Sequence, residues 1–337
     1  MKCLSIESTA HTFGTAIVDD KCNILANERD MLTTKEGGLI PRELAEHHYS
    51  IAPKIISQAL EKANLSMKDI DLISYSQGPG IGNALRCGAV TARQLSLLHN
   101  IPFIGVNHCI AHIEIGRKLC DANDPVMLYA SGANTQIICF ENDYYRVFGE
   151  TLDTGIGNFL DTFGRKIGMG FPAGPKLSEI YYKGKNLIEL PYTVKGMDLA
   201  FSGLLTSALE KYKKIQEEKI PKKDKTQKEY DLIYSTMHYA FAMLTEVTER
   251  ALAHTHKKQV ILGGGVGCSK PLQEMVSKMC EERGAKLFIP PNSVMVDNAA
   301  MIAWTGILMH QSGEKTSINN SKILPKQRTD DVKINWR

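Results

Sequence analysis

Two histidines spaced four residues apart are the side chains of this sequence best placed for metal chemistry. His108 and His112 lie in the segment NHCIAH, directly after the apolar run 102–106, and Asn107 is a residue type that favours a helix N-cap. On a helix this spacing puts both side chains on one face, with Cβ atoms about 6 Å apart, so both imidazoles can bind one metal ion at roughly 2.1 Å. Capping and surface histidines share the spacing, and a metal site needs at least a third protein ligand. The segment also lacks the glutamate of an HExxH protease.

Two turns of small residues are candidates for binding an anionic ligand. SGANT at 131–135 and GGGVG at 263–267 each follow a strand-like run, and small residues let backbone N–H groups approach such a ligand closely. Neither turn matches a Walker A or a GxGxxG fingerprint, so an ordinary tight turn is the alternative. Between them, Asp153 and Asp161 fall in a stretch with little apolar periodicity, which predicts a loop.

The elements that position these residues alternate between strand-like and helix-like patterns, which predicts an α/β fold. Apolar runs predict strands at 3–7, 15–18, 72–77, 103–106, 126–130, 136–140, 259–262 and 286–289, and helical periodicity predicts helices at 43–63, 83–99, 111–120, 201–215, 233–254, 271–283 and 298–310. Asp297 directly precedes the last helix, where the ordinary role of an aspartate is an N-cap that contributes about 1 kcal/mol.

The opening pattern of the chain recurs near residue 126. Residues 4–20 (LSIESTAHTFGTAIVDD) and 126–143 (VMLYASGANTQIICFEND) each predict a strand, a Ser/Thr/Gly turn and a second strand, closed by an acidic residue. Such a recurrence indicates two joined copies of one α/β unit. Coincidence between two ordinary hairpins is the alternative, and the pattern alone leaves both open.

Length and charge restrict the class of protein. A chain of 337 residues with 43% hydrophobic and 23% charged residues can bury a large core and predicts two domains or lobes. Its net charge of +3 is far from that of a dedicated nucleic-acid binder. Within it, residues 211–228 hold eight lysines against three acidic residues, a local charge of +5. Such a run indicates a solvated helix end and loop or, alternatively, a contact with RNA.

Cysteine usage and hydropathy indicate the compartment. The eight cysteines form no CxxC pair and lie mostly in apolar stretches, which predicts reduced thiols. The N-terminus turns polar within its first residues, and no apolar run approaches the roughly 20 residues of a membrane span. We therefore expect an intracellular protein that is neither secreted nor membrane-spanning.

Eight segments, taken together and in order, resemble the tRNA threonylcarbamoyltransferase family, whose members were once described as O-sialoglycoprotein endopeptidases. They are IEST, YSQGPGIG, GVNHCIAHIE, LYASGANTQ, FGETLDTGIGNFLD, ELPYTVKGMDLAFSG, GGGVG and VDNAAMIAW. ELPYTVKGMDLAFSG, GVGC and the closing QRTDDVKINWR are similar to the eukaryotic and archaeal branch, the catalytic subunits of the KEOPS complex. The resemblance runs from about Cys3 to the C-terminus.

The resemblance implies a fold of the actin, heat-shock-70 and sugar-kinase superfamily. Such a fold consists of two duplicated α/β lobes with a ligand cleft between them, which would account for the repeated hairpin. We expect residues 1–124 and 298–337 to form the N-terminal lobe and residues 125–297 to form the C-terminal lobe.

It also implies one divalent metal ion, iron or zinc, and an adenylate in the cleft, either threonylcarbamoyl-AMP or ATP/AMP. The implied metal ligands are His108, His112, Tyr129 and Asp297. The implied nucleotide-binding residues are Tyr129, Ala130, Ser131, Gly132, Ala133, Asp161, Gly174, Ser178 and Ser269, with Asp161 at a ribose hydroxyl. Three of these depart from the family pattern, since Ala133 replaces a glycine, Ser178 an acidic residue and Ser269 an asparagine. If position 133 requires a positive φ, the added methyl group costs roughly 1 kcal/mol.

The implied reaction transfers a threonylcarbamoyl group from threonylcarbamoyl-AMP to N6 of the adenosine 3′ of the anticodon in ANN-decoding tRNAs. Because the mixed anhydride is already activated, the enzyme mainly has to orient it, polarise its carbonyl and stabilise developing charge. Glu7, at the end of the first strand, is the candidate for assisting proton removal from the amine, and an ordinary strand-end carboxylate is the alternative.

Two other functions compete with the transferase. An actin-fold ATPase or sugar kinase typically opens with an Asp-x-Gly-x-Thr type of loop, whereas this chain has Glu7-Ser8-Thr9, which argues against that class. A non-catalytic scaffold subunit is the second. The family implies KEOPS partners, namely a kinase-like ATPase subunit, a dimerising subunit and accessory subunits, which would share the binding of tRNA. We expect a cytoplasmic protein, with the nucleus as a second location.

Overall fold

The computed structural model describes residues 1–33 and 40–337. Its elements in chain order are β1 (Lys2–Glu7), β2 (Thr12–Asp19), β3 (Ile24–Met31), α1 (Pro41–Ala63), β4 (Leu72–Gly78), α2 (Gly82–His99), β5 (Phe103–Asn107), α3 (His108–Cys120), β6 (Val126–Ala130), β7 (Thr135–Glu141), β8 (Tyr144–Glu150), α4 (Ile156–Lys166), α5 (Gly174–Tyr181), β9 (Val194–Lys195), β10 (Asp198–Leu199), α6 (Ser202–Glu217), α7 (Lys222–Thr255), β11 (Gln259–Gly263), α8 (Lys270–Glu282), β12 (Lys286–Phe288), α9 (Asn292–Met295) and α10 (Ala299–Gln311). Short 3₁₀ turns occur at Met67–Asp69, Gly265–Cys268, Ile318–Asn320 and Thr329–Asp331.

The first sheet has the strand order β3-β2-β1-β4-β5. Strand β1 pairs antiparallel with β2 and parallel with β4, which in turn pairs parallel with β5. Strands β1, β4 and β5 are buried along almost their whole length, as expected of strands covered on both faces by helices. Helix α10, apolar on all sides, packs against this sheet, and its residues form one core with those of β1, β2 and β5.

The second sheet repeats the order of the first. Its strands run β12-β11-β6-β7-β8, so β6 pairs antiparallel with β7 and parallel with β11, and β11 pairs parallel with β12. Each sheet is therefore a three-strand meander whose first strand lies beside two parallel strands. This common topology resolves the choice between duplication and coincidence in favour of duplication.

The chain divides into two compact units. The first contains Met1–Asp121, Phe140–Arg146 and Pro291–Arg337, and the second contains Ala122–Cys139 and Val147–Pro290. This division differs from the predicted lobe boundaries in three places, the first being residues 122–124, which belong to the second unit. Residues 291–297, and with them Asp297, belong to the first unit, and so does the tip of the β7–β8 hairpin.

Helices α4 and α5 occupy most of the stretch in which the sequence pattern predicted a loop, so that prediction was wrong for Asp161, whereas Asp153 lies between β8 and α4 as predicted. The buried residues Ile156, Phe159, Leu160 and Phe163 of α4 follow the i, i+3, i+4, i+7 spacing of an amphipathic helix. The flanking glycines obscured this spacing, and they are present because the helix packs tightly. A Cβ at Gly155 would lie 2.5 Å from the carbonyl oxygen of Gly132.

The sequence predicted reduced cysteines and no membrane-spanning segment. The eight cysteines form no disulfide, as their spacing predicted. Within residues 1–33 and 40–337, no helix is both long and apolar enough to cross a membrane.

His48 of α1 is buried and takes part in a chain of hydrogen bonds. Its Nε2 donates to the carbonyl oxygen of Ala10 at 3.0 Å, and its Nδ1 lies 3.2 Å from Nδ1 of His47, whose Nε2 is 2.8 Å from Oδ1 of Asp30. Burial, assisted by the neighbouring His47, lowers the pKa of His48 to about 4. The imidazole of His48 is therefore neutral in the folded protein at neutral pH.

We predict that the free energy of unfolding falls between about pH 6.5 and pH 4, by up to about 3 kcal/mol, because only the unfolded state accepts the His48 proton in this window. His48→Gln keeps a donor for Ala10 but does not titrate, so its unfolding free energy should depend less on pH. His99→Gln, at an exposed position, should follow the unsubstituted protein. Urea unfolding from pH 7 to 4 measures this, and equal pH dependence in all three proteins would contradict it.

Candidate functional site

The two histidines are held by the start of helix α3. Asn107 ends β5, and its side-chain Oδ1 accepts hydrogen bonds from the backbone N–H groups of Cys109 and Ile110 at 3.0 and 3.2 Å. The predicted N-cap is therefore confirmed. His108 is the first residue of the helix, His112 follows one turn later, and both are buried.

Asp297 does not cap helix α10, so the ordinary role predicted for it was wrong. Asn298 is the N-cap, because its Oδ1 accepts from the N–H of Met301 at 3.1 Å. The amide nitrogen of the same side chain donates to the carbonyl oxygens of Val294 and Val296 at 3.0 and 2.8 Å. Asn298 thereby fixes the turn that carries Asp297, and the aspartate side chain points to the two histidines instead.

The three side chains form a compact donor set. Oδ1 of Asp297 lies 3.4 Å from Nε2 of His108 and 3.5 Å from Nε2 of His112. Donors at 2.1 Å from a tetrahedral metal ion lie about 3.4 Å from one another, so two of the three separations already have this value. The three ligand atoms all lie within 4.8 Å of one another. Two imidazoles and one carboxylate suit zinc or iron and leave coordination positions for a further ligand and a substrate.

Glu7 and Thr9 orient His108. Oε2 of Glu7 lies 3.0 Å from Nδ1 of His108, and the other carboxylate oxygen accepts from both the N–H and the hydroxyl of Thr9. Because the carboxylate accepts a hydrogen bond from the Nδ1–H group, the Nε2 atom is the one directed to Asp297. This is the arrangement in which a second carboxylate fixes the tautomer of a metal-binding histidine. Glu7 is itself fully buried.

The electrostatics of the site favour a cation between the ligands. Burial lowers the pKa of His108, but the Glu7 and Asp297 carboxylates outweigh burial and hold it well above its usual value. Burial raises the pKa of Asp297, but its hydrogen bonds to both imidazoles outweigh burial and hold it well below its usual value. The extra proton on His108 therefore occupies the place between Nε2 and Asp297 where a divalent cation would bind, and metal binding would release it.

Sequence reasoning missed Arg29, which supports this centre, and Glu114, which anchors helix α3. Nη1 of Arg29, on β3, donates to the carbonyl oxygen of Asp297 at 3.2 Å. Glu114, buried on α3, accepts from Tyr145 at 2.6 Å, from Arg117 at 2.7 Å and from the indole of Trp336 at 3.1 Å. A charged residue on a strand gives no signal of such a role. Glu114, however, was a carboxylate in an otherwise apolar helical segment, and that signal was present.

The predicted nucleotide residues lie in the second unit, and part of them form a turn against helix α4. The hydroxyl of Ser131 donates to the carbonyl oxygen of Asn134 at 3.0 Å, and the carbonyl oxygens of Ser131 and Gly132 accept from the N–H groups of Gly157 and Asn158. The positive φ angles of the described residues do not include Ala133, so the strain expected there if its φ were positive does not arise. Tyr129 and Ala130 precede this turn on β6 and are buried.

The remaining nucleotide candidates are also connected. The hydroxyl of Ser178 donates to the carbonyl oxygen of Gly174 and lies 3.0 Å from the hydroxyl of Ser269. Asp161 accepts from the N–H of Ala173 at 2.8 Å, directly before Gly174. The two serines that replace the family residues therefore contact each other, and this contact joins α5 to the start of α8.

Asp153, the other aspartate of the stretch predicted as a loop, has a structural role. Its carboxylate accepts from the N–H groups of Phe201 and Ser202 at the start of α6. Although partial burial raises its pKa, these backbone hydrogen bonds outweigh burial and lower it to about 2. Asp153 thus caps α6 and does not belong to the ligand sites.

Comparison with known sequences gives a family for this arrangement. The family model described as TsaD, tRNA N6-adenosine threonylcarbamoyltransferase, matches residues 22–304. The protein of Thermococcus kodakarensis named tRNA N6-adenosine threonylcarbamoyltransferase is 51% identical, with 100% of both chains covered. A protein of Methanocaldococcus jannaschii named probable bifunctional tRNA threonylcarbamoyladenosine biosynthesis protein is 48% identical over 100% of this chain and 60% of its own length.

Solved structures show the same fold at low sequence identity. HypF of T. kodakarensis superimposes with a TM-score of 0.63 at 14% identity, covering 92% of this chain and 48% of that one. Component A of the (R)-2-hydroxyglutaryl-CoA dehydratase of Acidaminococcus fermentans gives a TM-score of 0.53 at 16% identity, covering 91% of this chain and 98% of that one. The expected α/β fold is confirmed, and both solved structures share it.

We predict that His108→Ala and His112→Ala each abolish stoichiometric metal binding while the protein stays folded, because each removes one of the three ligand atoms that the described residues of the first unit bring together. His99→Ala, an exposed histidine on α2, is the control and should keep its metal. Elemental analysis after loading with zinc or iron(II) and gel filtration measures the content, and circular dichroism reports the fold. A full equivalent of metal in both variants would show that the ligand assignment is wrong.

Proposed function

This chain belongs to the tRNA N6-adenosine threonylcarbamoyltransferase family, and we propose that the site formed by His108, His112 and Asp297 assists transfer of the threonylcarbamoyl group. The protein is a transferase of tRNA modification, and the acceptor in this reaction is N6 of the adenosine 3′ of the anticodon in ANN-decoding tRNAs. The observation that supports the proposal is the convergence of the three ligand atoms, with Nε2 of His108 directed to Asp297 by the buried Glu7.

The proposed reaction forms one bond, breaks one bond and releases one proton. N6 attacks the carbamoyl carbon of threonylcarbamoyl-AMP, the bond from that carbon to the phosphate oxygen breaks, AMP leaves, and the amine loses a proton. When bound, a divalent metal ion supplies a Lewis acid for the developing negative charge. His108, His112 and Asp297 would hold the metal ion at a fixed place, and the buried surroundings of the two histidines would strengthen the effect of its charge.

Glu7 fits a positioning role better than direct contact with substrate. It is fully buried, one carboxylate oxygen accepts from Thr9, and the other faces Nδ1 of His108. In this role Glu7 acts on the reaction through the orientation of His108. Its role as proton acceptor for the amine stays a prediction, and the two roles have different consequences for substitution.

The nucleotide assignment rests on the resemblance and is supported by two contacts in the second unit. We propose that the turn Ser131 to Ala133, anchored on α4, faces the adenylate phosphate and that Asp161 binds a ribose hydroxyl. Gly174, Ser178 and Ser269 complete the site, and the contact between the two serine hydroxyls holds it together. Tyr129 is proposed as a fourth metal ligand and as part of this nucleotide site on the resemblance alone.

The cofactor and the partners follow from the family. The family implies a divalent metal ion and an ATP-derived substrate, and we propose iron or zinc as the metal and threonylcarbamoyl-AMP, or ATP/AMP, as the nucleotide. We propose that the chain is the catalytic subunit of a KEOPS complex with a kinase-like ATPase subunit, a dimerising subunit and accessory subunits, located in the cytoplasm or also in the nucleus. The two duplicated units are proposed as the N-terminal and C-terminal lobes.

We predict that Asp297→Ala lowers threonylcarbamoyl transfer at least 100-fold, because the only carboxylate of the donor set is lost. Asp153→Ala is the matched control, since it removes a helix-capping aspartate at a cost of about 1 kcal/mol and should keep transfer. The assay follows labelled threonylcarbamoyl from its adenylate to an ANN-decoding tRNA, with the partner subunits present and metal content measured on the same samples. No transfer by metal-loaded, unsubstituted protein would favour the ATPase or the scaffold instead.

We predict that Glu7→Ala weakens metal binding by about 10- to 100-fold. Glu7→Gln should bind metal more tightly than Glu7→Ala, because the glutamine side-chain oxygen can still accept a hydrogen bond from the Nδ1–H group of His108. Transfer should follow metal affinity in both variants. A general base gives the opposite pattern, in which both variants keep the affinity of the unsubstituted protein and lose transfer equally. Titration with a competing chelator, beside the transfer assay, distinguishes the two roles.

A further inference from the structure

The end of the hairpin formed by α6 and α7 concentrates the positive charge of the molecule. Residues 211–228 hold eight lysines against three acidic residues, so their charge of +5 exceeds the +3 of the whole chain. The structure places this run on the last turns of α6, a four-residue connection and the first turns of α7. The predicted helix end and loop is therefore confirmed.

Only part of the charge is used inside the hairpin. Lys213 and Lys228 pair with Glu217 and Glu218, and Nζ of Lys225 donates to the carbonyl oxygen of Gln216 at 2.8 Å. In the described part of the chain, the ammonium groups of four exposed lysines of the run have neither an ion pair nor a hydrogen bond. They are Lys214, Lys219, Lys222 and Lys223, which we call the lysine tip.

Helix stability does not explain the lysine tip. Lys222 and Lys223 are the first two residues of α7, where the helix macrodipole is positive, so each cation there destabilises the helix by about 0.3–1 kcal/mol. Cations at the start of a helix that have no compensating contact within the protein indicate a function that involves a binding partner.

A neighbouring loop extends the positive surface along α7. Lys183 and Lys185 are exposed, and the ammonium of Lys183 lies 5.5 Å from the ring centre of Tyr230. The N–H of Lys185 donates to the carboxylate of Asp231, which also accepts from Gln227. Both lysines are therefore held beside the first turns of α7 by contacts that leave their charges in solvent.

We propose that the lysine tip contacts the ribose-phosphate backbone of the tRNA substrate, an inference that rests on the proposed function. Exposed ammonium groups without partners suit phosphates, which take contacts from lysines without reading the base sequence. An RNA backbone fits better than an acidic protein surface, because lysine is depleted in protein–protein interfaces. Such contacts orient a large substrate through its backbone, and they need none of the special chemistry of the metal centre.

The test compares two fourfold variants of the full-length protein with the same change in charge. K214Q/K219Q/K222Q/K223Q removes the lysine tip, and K68Q/K278Q/K315Q/K326Q removes four exposed lysines elsewhere. Binding of an unmodified ANN-decoding tRNA transcript is measured between 50 and about 200 mM salt. We expect the tip variant to bind about tenfold more weakly and its log–log salt slope to fall by about 3, since each of the four lost phosphate contacts removes about 0.7 to 0.9. The control should change Kd less than twofold.

Each outcome decides between the alternatives. Equal losses in both variants would reduce the effect to net charge and overturn the proposal, and an unchanged Kd and slope in the tip variant would leave an acidic protein as the partner. The same loss for a tRNA that does not decode ANN codons is expected, whereas a loss confined to ANN-decoding tRNA would indicate base recognition and contradict a backbone contact. At saturating tRNA the tip variant should keep the transfer rate. If the unsubstituted protein binds tRNA but transfers nothing, the proposed function fails and the binding result still stands.

Discussion

The hydrogen bond between Glu7 and His108 is the contact on which the geometry of the metal centre depends. It joins the end of β1, the first strand of the meander, to the first residue of α3, and both side chains are buried. A buried carboxylate without a partner costs several kcal/mol, so the fold constrains both elements to keep the pair together. Because the pair uses Nδ1, the other ring nitrogen has to point at Asp297. The pairing of a buried carboxylate of the first sheet thereby fixes the orientation of a metal ligand.

Helix starts, rather than loops, set the positions of the other ligand atoms. Asn107 caps α3 directly before His108, and Asn298 caps α10 directly after Asp297. In both cases the capping side chain fixes the backbone next to the ligand, so the donors are held as rigidly as the helices themselves. Helix α10 is apolar on every side and lies in the core, which prevents Asp297 from shifting without repacking of the first unit.

The sequence was sufficient for features that depend on local pattern. The i, i+4 spacing of His108 and His112, the cap at Asn107 and the recurrence of the hairpin pattern all follow from periodicity and residue type. That the recurrence is a duplication followed only from the common strand order. It was insufficient where tertiary packing reverses a local signal. Gly155 and Gly157 looked like loop residues, yet they allow α4 to pack against the turn that begins at Ser131. Asp297 looked like a cap, because which of two adjacent residues caps a helix is decided by contacts such as those of Asn298 to the preceding turn.

The duplication also shows where this chain departs from its own repeat. In the first unit, among the described residues, α1 is the α-helix between the meander and the next parallel strand, β4, whereas in the second unit α4 to α7 lie between β8 and β11. The turns after the first strand of each meander have diverged in chemistry, since one carries Glu7 and Thr9 and the other carries Ser131 and Gly132. The end of the first strand in each sheet therefore carries candidate site residues, for the metal centre in the first unit and for the nucleotide site in the second. The lysine tip belongs to the segment without a counterpart in the first unit, where surface charge can change without disturbing the sheet, the caps or the ligands.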